Sequence, residues 1–353
     1  MNPPMTLAEL HDIFLTYPES WNRLPDPYPV PDPELEVHRW LDRLSLVTSA
    51  GEHLKYGTIL RSDLFARHSY PLAPPDRQNT IARLLALWAF HDDRIEGRGI
   101  AEAEAERMGR AVRGTSDPPG ASGTDRYARA WWELGQEFRR AGMSARWLRR
   151  LGANLTAWYR STNDEAMMLR SRGRHPGSDA YLAVRRRTAG QQVWLDLLQY
   201  AYGRETAPAE HGREIRTAYH LAETLYVYFN DLYGMEKDAN DGLPNLVPIL
   251  AREQGVTEVE ACREVARRHA ETLADACALG HRVCARVPSL AWWFEAYQHL
   301  LVGITRAHEL SPRYAPVQVT EDGSAVRVRV AWRRDPVGDT GETASAHMEQ
   351  GVM

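Results

Sequence analysis

Residues 84–97 read LLALWAFHDDRIEG, and residues 223–247 read ETLYVYFNDLYGMEKDANDGLPNLV. Each is an apolar run at three- and four-residue spacing that ends in a cluster of acids. That period is helical. The first helix starts near PPDRQNT, where Asn79 or Asp76 could serve as N-cap. Working outward, the same periodicity runs through Leu35–Leu46, Ile81–Ile95, Tyr127–Phe138, Trp147–Trp158, Tyr181–Tyr202, Ile215–Tyr233, Val259–Cys284 and Leu290–Leu300. Clusters rich in Gly, Pro, Ser and Asp, such as those at 113–125 and 172–179, separate these segments. Many helices and few strand signals predict an all-α fold of eight or more helices.

The two ends read differently. Residues 1–32 form a proline-rich arm containing RLPDPYPVP, a run that sustains neither a helix nor a central strand, with one short helix expected at Leu7–Leu15. The helical domain is expected to span 33–316. Beyond it, PVQVTEDGSAVRVRVAW alternates valine with polar residues on both sides of Asp322-Gly323, the signal of a β-hairpin over 317–334. An isolated hairpin is marginal, so this one must pack on the body to be stable. The polar, Gly-containing stretch 335–353 is expected to be a disordered tail.

Composition narrows the function. The 353 residues are 43% hydrophobic and 25% charged, as in a globular chain with a sizeable core. Forty-three Lys+Arg against 47 Asp+Glu give a formal charge of −4, which excludes a strongly basic nucleic-acid binder. No run approaches the length of a membrane span, and the mean hydropathy is −0.49. The N-terminus lacks the basic-then-apolar order of a secretion signal. Three cysteines without a C-x-x-C pair argue against a disulfide framework and for a reducing, cytoplasmic location.

The acids carry the chemistry. On a helix, Asp92 and Glu96 are four residues apart and share a face, about 6 Å apart at Cβ. Paired carboxylates repel one another unless a cation sits between them, and Mg²⁺ takes one or two carboxylates together with substrate phosphates. Asn230, Gly234 and Asp238 follow one another at four-residue steps along one face, and the amide and carboxylate can ligate one hard cation. A helix-interior Gly234 costs about 1 kcal/mol relative to Ala, which suggests close approach by a ligand or water. Lys237 adds a cation suited to phosphate. Trp88 lies one turn below Asp92 and Tyr226 one turn before Asn230, with Phe229 turned about 100° away. All three are candidates for an apolar cavity wall, and all three also suit ordinary core packing.

Taken together, FHDDRIE and NDLYGMEKD resemble the aspartate-rich motif and the N-D-x-x-S-x-x-K-E motif of bacterial class I terpene synthases. YLAVRRRTAG at 181–190 resembles the family's R-R-x-T-x-G stretch, and SPRYAP at 311–316 supplies the paired Arg313-Tyr314. The resemblance covers residues 25–316. It implies a single-domain helical barrel, three Mg²⁺ ions and a prenyl diphosphate substrate. Farnesyl diphosphate comes first, with geranylgeranyl and geranyl diphosphate as alternatives, and the protein is expected to be a monomer or homodimer. A non-catalytic isoprenoid-binding protein is the alternative of a different class.

Residue by residue, the resemblance implies that Asp92 ligates metal and that Glu96 matches the motif's last acid. Asn230 and Asp238 would hold the third ion. Arg186 would be the diphosphate-sensing arginine with Asp93 as its partner. Gly190 would be the helix-break residue whose carbonyl faces the ionising carbon. Lys237, Arg313 and Tyr314 would bind diphosphate. The sequence departs from the family pattern at Gly234 (usually Ser/Thr), Asp238 (usually Glu) and Ala307 (often a cavity Trp).

Overall fold

The computed structural model describes residues 8–18, 21, 33–95, 98–114, 118–120, 123, 125–170, 176–206, 208–311, 317–319 and 325–333. Among these, the body is all helical. Helices α1 (Pro33–Arg43), α2 (Ala50–His53) and, after a π-helical turn at Leu54–Ile59, α3 (Ser62–Ser69) lead into α4 (Pro75–Ile95), which carries the first acidic motif. Next come α5 (Glu102–Arg113), α6 (Asp125–Arg140), α7 (Ala145–Arg170), α8 (Ser178–Thr188) and α9 (Gln191–Tyr202). Then α10 (Pro208–Asp241) carries the second motif, followed by α11 (Leu246–Gln254), α12 (Glu258–Arg286) and α13 (Ala291–Leu310).

Helix α4 shows why the acids end up where they do. Its Ile81, Leu84, Leu85, Leu87, Trp88 and Phe90 are all buried, and α1, α3, α6 and α9 pack around it. Burial on nearly every side fixes the helix, and its C-terminal turn then delivers Asp92 and Asp93 at the rim of the core. Helix α10 packs along α12 and meets α8, α9 and α11. It stops where Gly242 takes a left-handed φ of 69° and Leu243 N–H returns to Asp238 O at 2.8 Å. Asn245 then caps α11, its side chain accepting from Val247 N–H.

The periodic stretch Tyr181–Tyr202 is two helices, not one. Gly190 between them has φ 66°, and a Cβ there would collide with the Trp88 ring. Only glycine meets both conditions without strain.

The short helix expected at Leu7–Leu15 is instead a strand. β1 (Ala8–Thr16) pairs antiparallel with β3 (Ala325–Arg333), Ala8 opposite Arg333 and Thr16 opposite Ala325. β2 (Val317–Val319) flanks the other side of β3, Val317 opposite Val328. Ile13 and Leu15 are buried while Phe14 between them is exposed, the two-residue alternation of a half-buried strand. The sheet packs on the body, β3 on α10, β1 on α12 and β2 on α13. The tail expected at 335–353 lies outside the described residues.

Candidate active site

The two motifs converge. Asp92 and Asp93 from α4, Glu165 from α7, Arg185 from α8, and Asn230, Gly234, Lys237 and Asp238 from α10 line one polar chamber of about 130 Å³. Trp88, Asp92, Ala189 and Tyr226 also line a second, apolar chamber of about 110 Å³, completed by Leu60, Phe65, Leu85, Trp194 and Ile304 among others. The site is therefore a strongly polar compartment that shares a wall with one lined mostly by apolar side chains. A larger cleft, about 530 Å³, lies elsewhere, between α7, α9 and α10, and holds none of the motif residues.

The second motif sits on a buried hydrogen-bond network. Asp231, fully buried, accepts from Tyr181 Oη at 2.7 Å and from Leu246 N–H at 2.9 Å. Arg185 donates from Nη2 to Asn230 Oδ1 at 2.7 Å and from Nε to Asp231 Oδ1 at 3.4 Å. Asn245 donates to Asp238 Oδ2 at 2.8 Å and to the Asp231 carbonyl at 2.8 Å. Burial, reinforced by the neighbouring Asp231 charge, pushes the Asp238 carboxyl up to about 6. Lys237 Nζ lies 3.0 Å from Asp241 and 4.0 Å from Asp238.

The arginine that faces the polar chamber is Arg185, one position before the expected Arg186. Arg186 donates to the Leu182 carbonyl at 3.1 Å and lies 3.0 Å from His220 Nε2, beside the large outer cleft. Arg187 reaches Asp164 at 2.7 Å. The helix break falls at Gly190, as expected, but its carbonyl does not line the site. The Gly190 carbonyl accepts from Val193 N–H at 3.0 Å, and Ala189, not Gly190, lines both chambers.

Other expectations need correcting as well. Asp93 does line the polar chamber, but its partners are Tyr56 Oη at 2.6 Å and Lys55 Nζ at 2.6 Å, not an arginine of the α8 triplet. Phe229 lines neither chamber; its ring stacks on Tyr233, with centroids 5.8 Å apart, and borders a separate small void with Tyr17 and His269. Ala307 is fully buried and lines neither chamber. Glu96, Arg313 and Tyr314 lie outside the described residues. Trp88 and Tyr226 line both chambers, and Trp88 packs against Trp158 with centroids 3.7 Å apart. Sequence reasoning passed over Glu165, whose Oε1 is 3.4 Å from Thr188 Oγ1. A lone acid with no spaced partner gives no signal. It also passed over Lys55 and Tyr56.

The donor set suits hard divalent cations. Four carboxylates (Asp92, Asp93, Glu165, Asp238) face two side-chain cations (Arg185, Lys237) around the polar chamber. A buried acid with a raised pKa such as Asp238 is restored to its charged form by a bound cation. Among the described residues no three His, Cys, Asp or Glu side chains are grouped closely enough to hold a metal on their own. Phosphate oxygens and water would therefore complete the shell, as Mg²⁺ prefers.

Residues 83–275 match the family described as terpene synthase family 2, C-terminal metal binding. The chain is 25% identical over 255 residues to spiroviolene synthase of Streptomyces violens, 70% of each chain. It is 29% identical over 206 residues to pentalenene synthase of Streptomyces avermitilis, covering 56% of this chain and 59% of that one. In three dimensions it is similar to α-eudesmol synthase, with a TM-score of 0.68 at 23% identity over 81% of this chain and 98% of that one. The linalool/nerolidol synthase of Streptomyces clavuligerus gives 0.69 at 19% identity, again over 81% and 98%. The two structural likenesses establish the fold. The chain belongs to the terpene synthase family, lyases that act on prenyl diphosphates. No helix among the described residues is long and apolar enough to cross a membrane.

Proposed function

We propose that the protein is a Mg²⁺-dependent terpene cyclase that ionises farnesyl diphosphate and releases a terpene hydrocarbon or alcohol with diphosphate. The observation that carries this reading is the junction of the polar and apolar chambers at Trp88, Asp92, Ala189 and Tyr226. Ionisation separates an allylic cation from a multiply charged leaving group, and that separation is the barrier. Three Mg²⁺ ions, held by Asp92 on one side and by Asn230 and Asp238 on the other, would supply charge to the leaving group. Lys237 would bond the diphosphate oxygens, and Arg185 would join it by exchanging its contact with Asn230 for a diphosphate oxygen. The Trp88 and Tyr226 rings would wall off water and present π faces to the cation. The small apolar chamber favours geranyl diphosphate as the second reading of chain length.

Incubation of the purified protein with Mg²⁺ and geranyl, farnesyl or geranylgeranyl diphosphate, read by gas chromatography–mass spectrometry, tests the assignment. The expected result is a terpene product from the C15 substrate, abolished by EDTA. Asp92→Asn and Asn230→Ala should each lower turnover at least about 100-fold with the fold intact by circular dichroism. Product formation in excess EDTA, or near-full activity of either variant, would overturn the metal-dependent reading.

A further inference from the structure

We propose that Lys55 and Tyr56 are positioning residues for the first acidic motif: they hold the Asp93 carboxylate out of the metal shell, so that Asp92 acts there without its neighbour. The proposal rests on the metal-binding reading above and assigns it two residues outside both motifs.

Two donors converge on one oxygen. Tyr56 Oη donates to Asp93 Oδ2 at 2.6 Å, and Lys55 Nζ lies 2.6 Å from the same atom. A carboxylate oxygen holding a phenol and an ammonium has its lone pairs engaged, so a cation at Oδ2 would have to displace both, and the two contacts fix how the carboxylate is turned. Consecutive residues of an α-helix point about 100° apart. Here both reach one atom from the π-helical turn Leu54–Ile59, a wider turn of the kind often found at functional sites.

The turn is fixed on several sides. The Tyr56 ring is buried and stands edge-on to Phe90 of α4 with centroids 4.8 Å apart. Glu52, just before the turn, accepts from Arg94 at 3.0 Å. At the far end, Ser311 Oγ donates to the Ile59 carbonyl at 3.2 Å or the Leu60 carbonyl at 3.1 Å. The segment thus grips the last turn of α4 at Phe90, Asp93 and Arg94 together. Arg185, the cation on the opposite wall, is committed to Asn230 and Asp231. The result is a division of labour within a D-D pair: the Asp93 charge is matched by Lys55, and Asp92 lines both chambers.

Manganese binding without substrate tests this, followed on the full chain by the loss of the free Mn²⁺ electron paramagnetic resonance signal. Lys55→Met should tighten Mn²⁺ binding at least fivefold, because it releases Asp93 beside Asp92. Tyr56→Phe should do so less. Asp93→Asn alone should stay within about twofold of wild type, and in the Lys55→Met background it should remove the gain. Unchanged or weaker binding by Lys55→Met overturns the proposal. So does a gain that survives in the double variant, since that would be charge removal alone. A tenfold loss in Asp93→Asn also overturns it, since Asp93 would then be a ligand. Lys55 is half exposed, so its substitution should leave the fold intact, and Lys55→Arg, which keeps the charge, should restore wild-type affinity. Asp92→Asn reports separately on the underlying reading: retained Mn²⁺ binding there would remove the metal site itself, whatever Lys55 does.

Discussion

The two acidic motifs end apolar helices of similar pattern, yet their carboxylates are held differently. At the end of α4, Asp93 is tied to the half-exposed Lys55 and to one phenol. On α10, Asp231 is fully buried beside the polar chamber and carries Tyr181, Arg185 and the Leu246 amide. The first arrangement can be rearranged at little cost. The second is a closed buried network, in which removing one member strands the others. A site that must admit and release a charged ligand gains from having one yielding wall and one rigid one.

The largest expected effect separates the two walls directly. Asp231→Ala strands the Leu246 amide and takes from Arg185 and Tyr181 the carboxylate they share, leaving them Asn230 and the Pro244 carbonyl. It should lower stability by about 3–5 kcal/mol, the typical cost of breaking a buried pair. Asp93→Ala removes the half-exposed Lys55 pair and the acceptor of the Tyr56 phenol, and should cost less, about 1–2 kcal/mol. Urea unfolding of the two variants provides the measurement, and similar losses would erase the distinction.

Next in size is the arginine triplet. Arg185→Lys keeps the charge but loses the fork that spans Asn230 and Asp231. It should reduce turnover about 100-fold, the scale of removing one preorganised donor. Arg186→Lys and Arg187→Lys should change turnover less than about threefold, because their partners are His220 and Asp164 on the outside. Saturating Mg²⁺ and substrate in all three assays isolates the effect on ionisation. A large loss in Arg186→Lys with none in Arg185→Lys would mean that the closed state turns α8 by a residue.

This triplet also marks where sequence reading stops. Periodicity placed the long helices, because three- and four-residue spacing of apolar residues follows from burying one face. The spacing of Asn230, Gly234 and Asp238 was likewise legible, because four-residue steps stay on one face of any helix. Three consecutive arginines offer no such cue. They cover three directions, and only Asn230 and Asp231, 45 or more residues away, decide which one enters the chamber. Strand β1 was hidden for a related reason. Leu7, Leu10, Ile13 and Phe14 fit a helical period, while the partner that makes them a strand is β3, at the other end of the chain.

His269 on α12, away from both motifs, supplies an acid-sensitivity control. Burial alone holds its imidazole down to about 4, below the ordinary value near 6.5. The unfolded chain therefore takes up the proton first as pH falls, so the stabilisation is complete above about pH 6.5 and is lost on acidification toward pH 4. His269→Phe, whose ring can still meet Tyr17 edge-on as the imidazole does, should retain about 2 kcal/mol more of its neutral-pH stability at pH 5 than wild type does. Parallel losses in melting temperature between pH 7 and pH 5 for the two proteins would place the acid sensitivity elsewhere, in the buried carboxylates of the rigid wall.

The smallest effect is the most specific to the second motif. Gly234 lies inside α10, where glycine costs about 1 kcal/mol relative to alanine. A Cβ built there meets Asp238 Oδ2 at 3.4 Å and Oδ1 at 3.6 Å, ordinary contact distances, and its backbone is helical. Gly234→Ser therefore fits without displacing its neighbours and sets a hydroxyl beside the Asp238 carboxylate. Stability should rise by somewhat under about 1 kcal/mol, since serine is a poorer helix former than alanine. The Mg²⁺ concentration for half-maximal turnover should stay the same or fall, because the added oxygen can take the place of a water in the shell. The informative failure is a stabilised protein with lost activity. That outcome would show that the rigid wall is built around the missing side chain, with substrate or a bound water occupying the space next to Gly234, and that the departure from the family pattern is a requirement of this site.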